Sequence, residues 1–445
     1  MRFIETIKNI SKIEDLRKRI VVTFLLVLVY RVGCYVVLPG INPSELDALR
    51  NFTDSGLMQL LDMFSGGAFS QASIFALGIM PYITASIVIQ LLGMVLPSFQ
   101  KLQREGESGH MKINQYTRYL TVLILLLQAP AYLVNLQVQV NSAGGNAHFG
   151  FWTMFYMIII LAAGSMFIMW LGERITDKGI GNGISFIILV GIIARLPQAF
   201  VQEFSNRLTT AQGGLVMFVV EIVVLFAVIL GAVLLVQGTR KVPVQYAKRI
   251  VGNKQYGGAR QYIPLKVNAA GVMPIIFAQA IMFIPLTLAG FGAKGEGSAI
   301  VRALTDMTGF WYNFIYFLMI VAFTYFYTAI TVRPTQMAED MKRNNGFIPG
   351  VKPGKKTSDY LDSIMSRITL PGSIFLGIVA IMPAFANICG VNHSFAQFFG
   401  GTSLLIIVGV VLDTLQQVES HLMMHHYDGL MKSGKIKGRT TGSGY

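Results

Sequence analysis

Apolar residues run along this chain in long unbroken blocks, not in the short alternating or one-sided patterns of a water-soluble fold. Ten blocks fall roughly at 20–38, 72–96, 117–138, 151–172, 183–201, 213–236, 269–290, 311–331, 370–389 and 400–420. Each has about the 18–25 residues that a ~30 Å hydrocarbon layer demands of a helix. The pattern therefore predicts an all-α membrane protein of ten transmembrane helices. One apolar stretch breaks the series. Leu57 to Ala68 is too short to cross and lies just before the second span. Such a segment either rests on the surface as an amphipathic helix or re-enters the membrane where protein or a water-filled cavity surrounds it. Periodicity leaves both open.

A faint repeat divides the blocks into two halves, 20–201 with five spans and 213–420 with five more. Gly78-Ile79-Met80-Pro81 opens the second span, and Gly271-Val272-Met273-Pro274 opens the seventh, the second span of the other half. Five is odd, so two such halves insert in opposite orientations, as inverted repeats do. Proline inside a span kinks a helix, which predicts that these two helices bend.

Composition and charge agree with a membrane location. Hydrophobic residues make up 53% of the chain and charged residues 13%, roughly half of what a soluble surface carries. The net charge of +14 invites a nucleic-acid reading, but its placement points elsewhere. With the N-terminus inside, the inner segments 1–19, 97–118, 173–181, 237–268, 332–368 and 421–445 hold 30 of the 36 Lys and Arg. That is the positive-inside bias, and it puts both termini in the cytoplasm. The remaining six are Arg31, Arg50, Arg195, Arg207, Lys294 and Arg302. Lys12, Arg17, Lys18 and Arg19 precede the first block as in a signal sequence. The block is long and no small-residue cleavage site follows, which predicts a retained span.

Two inner loops, 237–268 and 332–368, each exceed 30 residues, beyond what a connector needs. In the first, Lys241 to Tyr246 and Gln261 to Lys266 flank Gly257-Gly258, predicting an irregular hairpin with proline at its edges. Arg240, Lys241, Lys248, Arg249, Lys254, Arg260 and Lys266 lie in this loop, with no Asp or Glu. Topology does not require the absence of acids, so the loop reads as a docking surface for an anionic partner, rRNA or an acidic protein face.

Chemistry-bearing motifs are few. Gly350-Val351-Lys352-Pro353-Gly354-Lys355-Lys356-Thr357 is one residue short of a phosphate loop and follows no strand. His421 and His425 share a helical face beside His426, without the carboxylates or thiolates of a metal site. Cys34 and Cys389 read as free thiols. Ion-coupled transport needs ionisable residues deep in the spans, and only Glu221 and Asp413 come near that description. The polar residues within spans are mostly neutral: Thr84, Gln90, Gln128, Asn182 and Asn268. Such groups join helices by roughly 1 kcal/mol each, weakly enough to part again. A secondary transporter with an inverted repeat stays as the alternative. An intramembrane enzyme lacks its nucleophile and base.

Several stretches taken together resemble one family. They are Met63-Phe64-Ser65-Gly66-Gly67, Ala72 to Ile83 (ASIFALGIMPYI), Glu105-Gly106-Glu107-Ser108-Gly109, Gly179 to Ser185 (GIGNGIS), Tyr246-Ala247-Lys248-Arg249, Pro264 to Asn268 (PLKVN) and Gly400 to Ile406 (GGTSLLI). In this order and over nearly the whole chain they resemble the SecY family, the channel-forming large subunits of the bacterial Sec export machinery.

The resemblance implies two pseudo-symmetric inverted five-helix halves around a central pore. It implies a pore ring of Ile79, Ile83, Ile184, Ile188, Ile276 and Ile406. It makes 57–70 a plug, with Leu60, Met63, Phe64, Ser65, Gly66 and Gly67 at its heart. It places Thr84, Gln90, Gln128 and Asn268 at a lateral gate between spans two and seven. Docking of the ribosome and the SecA motor ATPase is expected at Arg240, Lys241, Lys248, Arg249, Lys352, Lys355 and Lys356. Where the family commonly has Arg, this chain has Lys352, which keeps the charge but lacks the bidentate fork. Expected partners are small SecE-like and SecG-like subunits, SecA, the ribosome, signal-bearing polypeptides and membrane lipid, in the bacterial inner membrane. No catalytic residue, cofactor or metal is expected. The implied function is passage of unfolded polypeptide across the membrane and sideways into it.

Overall fold

The computed structural model describes residues 13–41, 62, 65–142, 150–209, 214–246, 249–251, 254–256, 260–279, 282 and 309–432. Expectations that fall on Leu60, Met63, Phe64 and Lys248, on most of the seventh span and on the end of the tail lie outside the described residues. In chain order the helices before the first long loop are α1 (Glu14–Gly33), α2 (Met80–Val95), α3 (Pro97–Arg104), α4 (Glu107–Ser142), α5 (Phe151–Lys178), α6 (Gly183–Thr209) and α7 (Gly214–Gln237). Strands β1 (Thr239–Tyr246), β2 (Arg249–Val251), β3 (Lys254–Tyr256) and β4 (Arg260–Lys266) follow. After a helical stretch at 273–279 come α8 (Phe310–Thr331), α9 (Pro334–Arg343), β5 (Gly346–Phe347), α10 (Lys355–Ile388), α11 (His393–Ala396) and α12 (Gly401–Lys432).

Seven of these helices are long and apolar enough to cross a membrane, or eight if α2 and α3 form one bent span. Nine of the ten expected spans fall on α1, α2, α4, α5, α6, α7, α8, α10 and α12, and of the seventh only the helical stretch 273–279 lies among the described residues. Their outer surfaces are those of a lipid-facing protein. Along α7, Val216 is 77% exposed and Leu234 72%, which in water would leave a large bare apolar face. Exposed aromatics gather where two spans begin, with Phe151 and Trp152 opening α5 and Phe310 and Trp311 opening α8. Amphipathic rings of this kind favour the membrane–water boundary.

Two compact units divide the chain, residues 1–195 with 410–445 and residues 196–409. The expected halves, 20–201 and 213–420, differ from these bounds at two places, 196–201 and 410–420. The end of α12 belongs with the first unit, where Gly181 N–H donates to Gln417 Oε1 at 2.9 Å. A long final helix reaches beyond its own half, which a span count cannot register. In the first unit the core is built from Leu38, Phe69, Ala72, Ala129, Tyr132, Leu133, Met157 and Leu161. It is contributed by the chain after α1, by α4 and α5, and by the chain between Ser65 and Ile79.

The expected hairpin is present. β1 and β4 are antiparallel, with Lys241 opposite Pro264 and Val242 opposite Ile263. Pro243 is tolerated because β5 meets β1 only at Gln245 and Tyr246, leaving the proline side without a ladder. The two long loops, read separately in the sequence, share one core. Val242, Val244 and Leu265 of the sheet pack with Met341 of α9, Ile348, and Leu361 and Met365 of α10. The second loop is shorter than expected, because α10 begins at Lys355 and not near 370.

Candidate functional site

The Gly-x-Met-Pro repeat does something other than bend a helix. Gly78 has φ +56° and Gly271 φ +64°, a left-handed conformation that favours glycine. Pro81 then lies in the first turn of α2 and Pro274 in the first turn of 273–279. There the missing N–H costs nothing and the fixed φ suits a helix start. The prolines therefore begin their helices, and neither Pro81 nor Pro274 kinks a helix from within. The second span starts at Met80 and not at 72, because 65–79 is a chain of turns.

That turn-rich stretch is the least ordinary part of the first unit. Ser65 to Ser70 are buried, so every backbone group needs a partner inside the protein. Tyr30 of α1 donates to the Ser65 carbonyl at 3.1 Å, and Tyr132 of α4 donates to the Phe69 carbonyl at 3.1 Å. Arg31 donates to the Gly66 carbonyl at 2.9 Å. Arg195 of α6 donates to Ser70 Oγ at 3.0 Å and forms an ion pair with Asp62. Gly66 has φ +67°, and a Cβ there would come within 2.8 Å of Gly191 Cα on α6. Only glycine fits so close a backbone approach.

The candidate ring residues divide between the units. Ile79 caps the start of α2 and Ile83 lies one turn on, with Ile83 N–H donating to the Ile79 carbonyl at 3.1 Å. Ile184 and Ile188 are likewise one turn apart on α6, sharing a face. Ile79 and Ile188 are buried, while Ile83 and Ile184 are half-buried. In the second unit Ile406 is buried on α12 and Ile276 is half-buried.

Three of the four candidate gate residues make local hydrogen bonds. Thr84 donates to the Met80 carbonyl at 3.1 Å, and Gln90 donates to Ser86 Oγ at 3.4 Å. Asn268 donates to the Gly271 carbonyl at 3.2 Å, steadying the turn that starts 273–279. Gln128 is half-buried on α4, which packs along α2. Asn182, read as an intramembrane amide, caps α6 by accepting from Ile184 N–H at 3.1 Å. Of the candidate docking residues, Arg240 and Lys241 are exposed on β1 and Arg249 lies in β2. Lys352, Lys355 and Lys356 are exposed around the start of α10, where Thr357 donates to the Lys352 carbonyl at 2.9 Å.

The SecY family model matches residues 73–415. The SecY protein translocase subunit of Mycobacterium bovis is 40% identical over 447 residues, covering 97% of this chain and 99% of that one. The chain belongs to the SecY family. Among solved structures, one described as "The structure of a protein conducting channel" has a TM-score of 0.61 at 19% identity, covering 91% of this chain and 92% of that one. A canine ribosome–channel complex from the endoplasmic reticulum has a TM-score of 0.57 at 18% identity, covering 91% and 92%. As a SecY family member the chain is a multi-pass membrane protein. It is the channel subunit of a Sec translocase, works with other Sec subunits, and is not an enzyme.

SecY membership does not by itself reveal three arginines that matter to this structure. Arg31, Arg195 and Arg207 are among the six basic residues that broke the positive-inside pattern. Arg31 and Arg195 hold the Ser65–Ser70 turns. Arg207 lies in the second unit in a buried cluster, donating to Glu203 Oε1 at 2.8 Å, to the Gly390 carbonyl at 2.8 Å and to Glu221. The sequence signal was their position. A cation stranded away from the inner loops needs an acidic or carbonyl partner of its own.

Proposed function

We propose that the chain is a passive conduit for unfolded polypeptide, closed at rest by a plug and opened by its partners. The observation that carries this is the buried, non-helical Ser65–Ser70 segment, wrapped by α1, α4 and α6 among helices otherwise built to span. Irregular backbone inside a membrane protein persists only where protein or a cavity surrounds it. A fold needing only rigidity would use a continuous helix here.

In this reading Ile79, Ile83, Ile184, Ile188, Ile276 and Ile406 form the constriction. Isoleucine is stiff at χ1, so a narrow ring keeps its size. Its apolar wall repels water and ions and offers no hydrogen bonds that would select among passing sequences. Thr84, Gln90, Gln128 and Asn268 line the lateral exit to lipid, and the local bonds of Thr84, Gln90 and Asn268 leave the helices free to separate. The joined module of β1, β4, α9 and the start of α10 presents Arg240, Lys241, Lys352, Lys355 and Lys356 outward. It is the cytoplasmic platform for a ribosome or a SecA-like motor, with SecE-like and SecG-like subunits alongside the spans. Both termini then face the bacterial cytoplasm. In this reading the motor supplies the energy for translocation.

Replacing Ile83 and Ile406 with glycine in the full chain, reconstituted with its partner subunits in planar bilayers, is expected to raise resting ion conductance several-fold. Conductance equal to the unaltered channel would remove these residues from the constriction.

A further inference from the structure

The bonds of the Ser65–Ser70 turns fall into two groups. Some lie within the segment itself. Asp62 Oδ1 accepts from Ser70 N–H at 2.7 Å, and the Asp62 carbonyl accepts from Gly67 N–H at 2.9 Å and from Ser65 Oγ at 3.1 Å. Ser65 Oγ in turn accepts from Phe69 N–H at 3.1 Å. These bonds travel with the segment wherever it goes. The others tie it to the spans: Tyr30, Tyr132, Arg31 and Arg195. The segment is thus a pre-folded unit with a separate set of moorings.

One mooring differs in kind. Asp62 is only 2% exposed, and its second carboxylate oxygen meets the Arg195 guanidinium. The same guanidinium donates to Ser70 Oγ at 3.0 Å, so one side chain grips both ends of 62–70. Asp62 is out of water while the Arg195 side chain is 27% exposed, so separating them is costly chiefly because it leaves a buried carboxylate without its partner. Neutral donors to carbonyls, such as Tyr30 and Tyr132, are exchanged for water at far smaller cost.

Position links this mooring to the constriction. Ile184, Ile188, Gly191 and Arg195 recur along α6 at intervals of four, three and four, which places them on one stripe of the helix. Gly191 is where the backbone at Gly66 comes close. The stripe that carries two candidate ring isoleucines therefore continues into the contact with the segment and ends at the arginine that holds it.

We infer that the Asp62–Arg195 pair is the latch that sets how readily the plug leaves its seat. The inference rests on the plug reading above. A chain entering between the ring isoleucines displaces the α6 stripe or the segment lying on it, and the pair must break before Asp62 and the Ser65–Ser70 turns can leave together. Arg195, and Asp62 through it, are positioning residues for translocation. They act on the plug and not on the passing chain.

The test uses the full chain with its partner subunits in planar bilayers, comparing D62N, R195Q, R195K, the D62N/R195Q double variant and a deletion of 62–70. Resting conductance and translocation of a secretory precursor are both read. The deletion is expected to leak. D62N and R195Q are each expected to raise the resting open fraction about tenfold or more while keeping translocation, because an opening channel breaks the pair in any case. R195K, with charge but no fork, is expected to fall between. The double variant is expected to leak no more than the worse single, as two residues acting through one contact do. A leaky deletion with D62N and R195Q tight overturns the latch and leaves the plug standing. A deletion that does not leak overturns the plug and the latch together. Leaks that multiply in the double variant, or that come with lost translocation, also overturn the latch.

Discussion

Replacing Arg207 with methionine is expected to cost about 3–5 kcal/mol of stability, the usual result of removing one partner from a buried ionic cluster. Glu203, Arg207 and Glu221 are each at most 7% exposed. One guanidinium satisfies carboxylates from α6 and α7 and the Gly390 carbonyl, while Glu203 also accepts from Asn392 N–H at 2.8 Å. Without it two buried carboxylates face each other, and Glu221 Oε2 already has no hydrogen-bond partner among the described residues. The companion variant E203Q/R207M/E221Q is expected to recover most of the loss, since neutral groups of similar shape carry little desolvation cost. Thermal unfolding of the purified protein in detergent measures both. R207M as stable as the unaltered chain would show that the cluster is not what joins these elements.

The next largest effect is expected at Gly164. This residue of α5 lies against the backbone at Ile74, where a Cβ would overlap the Ile74 carbonyl. Valine there forces apart α5 and the turns leading into α2, and overpacking of this kind costs about 1–3 kcal/mol. Ile74 N–H donates to the Val36 carbonyl at 2.9 Å, so the displacement also pulls on the chain after α1. G164V is expected to lower the unfolding temperature by several degrees and to loosen the seal at rest. G150A is the control, because a Cβ there finds only Thr153 Oγ1 at 3.8 Å. Equal stability of G164V and G150A would mean that the close approach carries no load.

The spans were legible because length and hydrophobicity are all that a bilayer asks of a helix. The hairpin was legible because strand-forming residues flanked a glycine pair. The turns at 65–79 were not, since they follow neither a helical nor a strand period, and the apolar pattern merged 72–79 into the second span. The Gly-x-Met-Pro repeat was visible as a repeat but misread as a kink. Whether a proline breaks a helix or begins one depends on where the preceding glycine sends the chain. The sharing of one core by the two long loops depends on residues such as Val244 and Leu361, which lie far apart in sequence and belong to one buried cluster. Arg195 and Asp62 stand far apart too, and a charge tally could mark Arg195 as out of place without naming its partner. The ring residues were reached only through likeness to the SecY family, because an isoleucine facing a pore and one facing lipid have the same local sequence.

The most direct test of a protein-conducting pore places a photoreactive side chain at Ile79, Ile83 or Ile406 in turn and arrests a secretory precursor midway. Crosslinks from all three positions to the precursor are the expected result, with none when the precursor lacks its signal sequence. No crosslink from any of the three positions would contradict the pore.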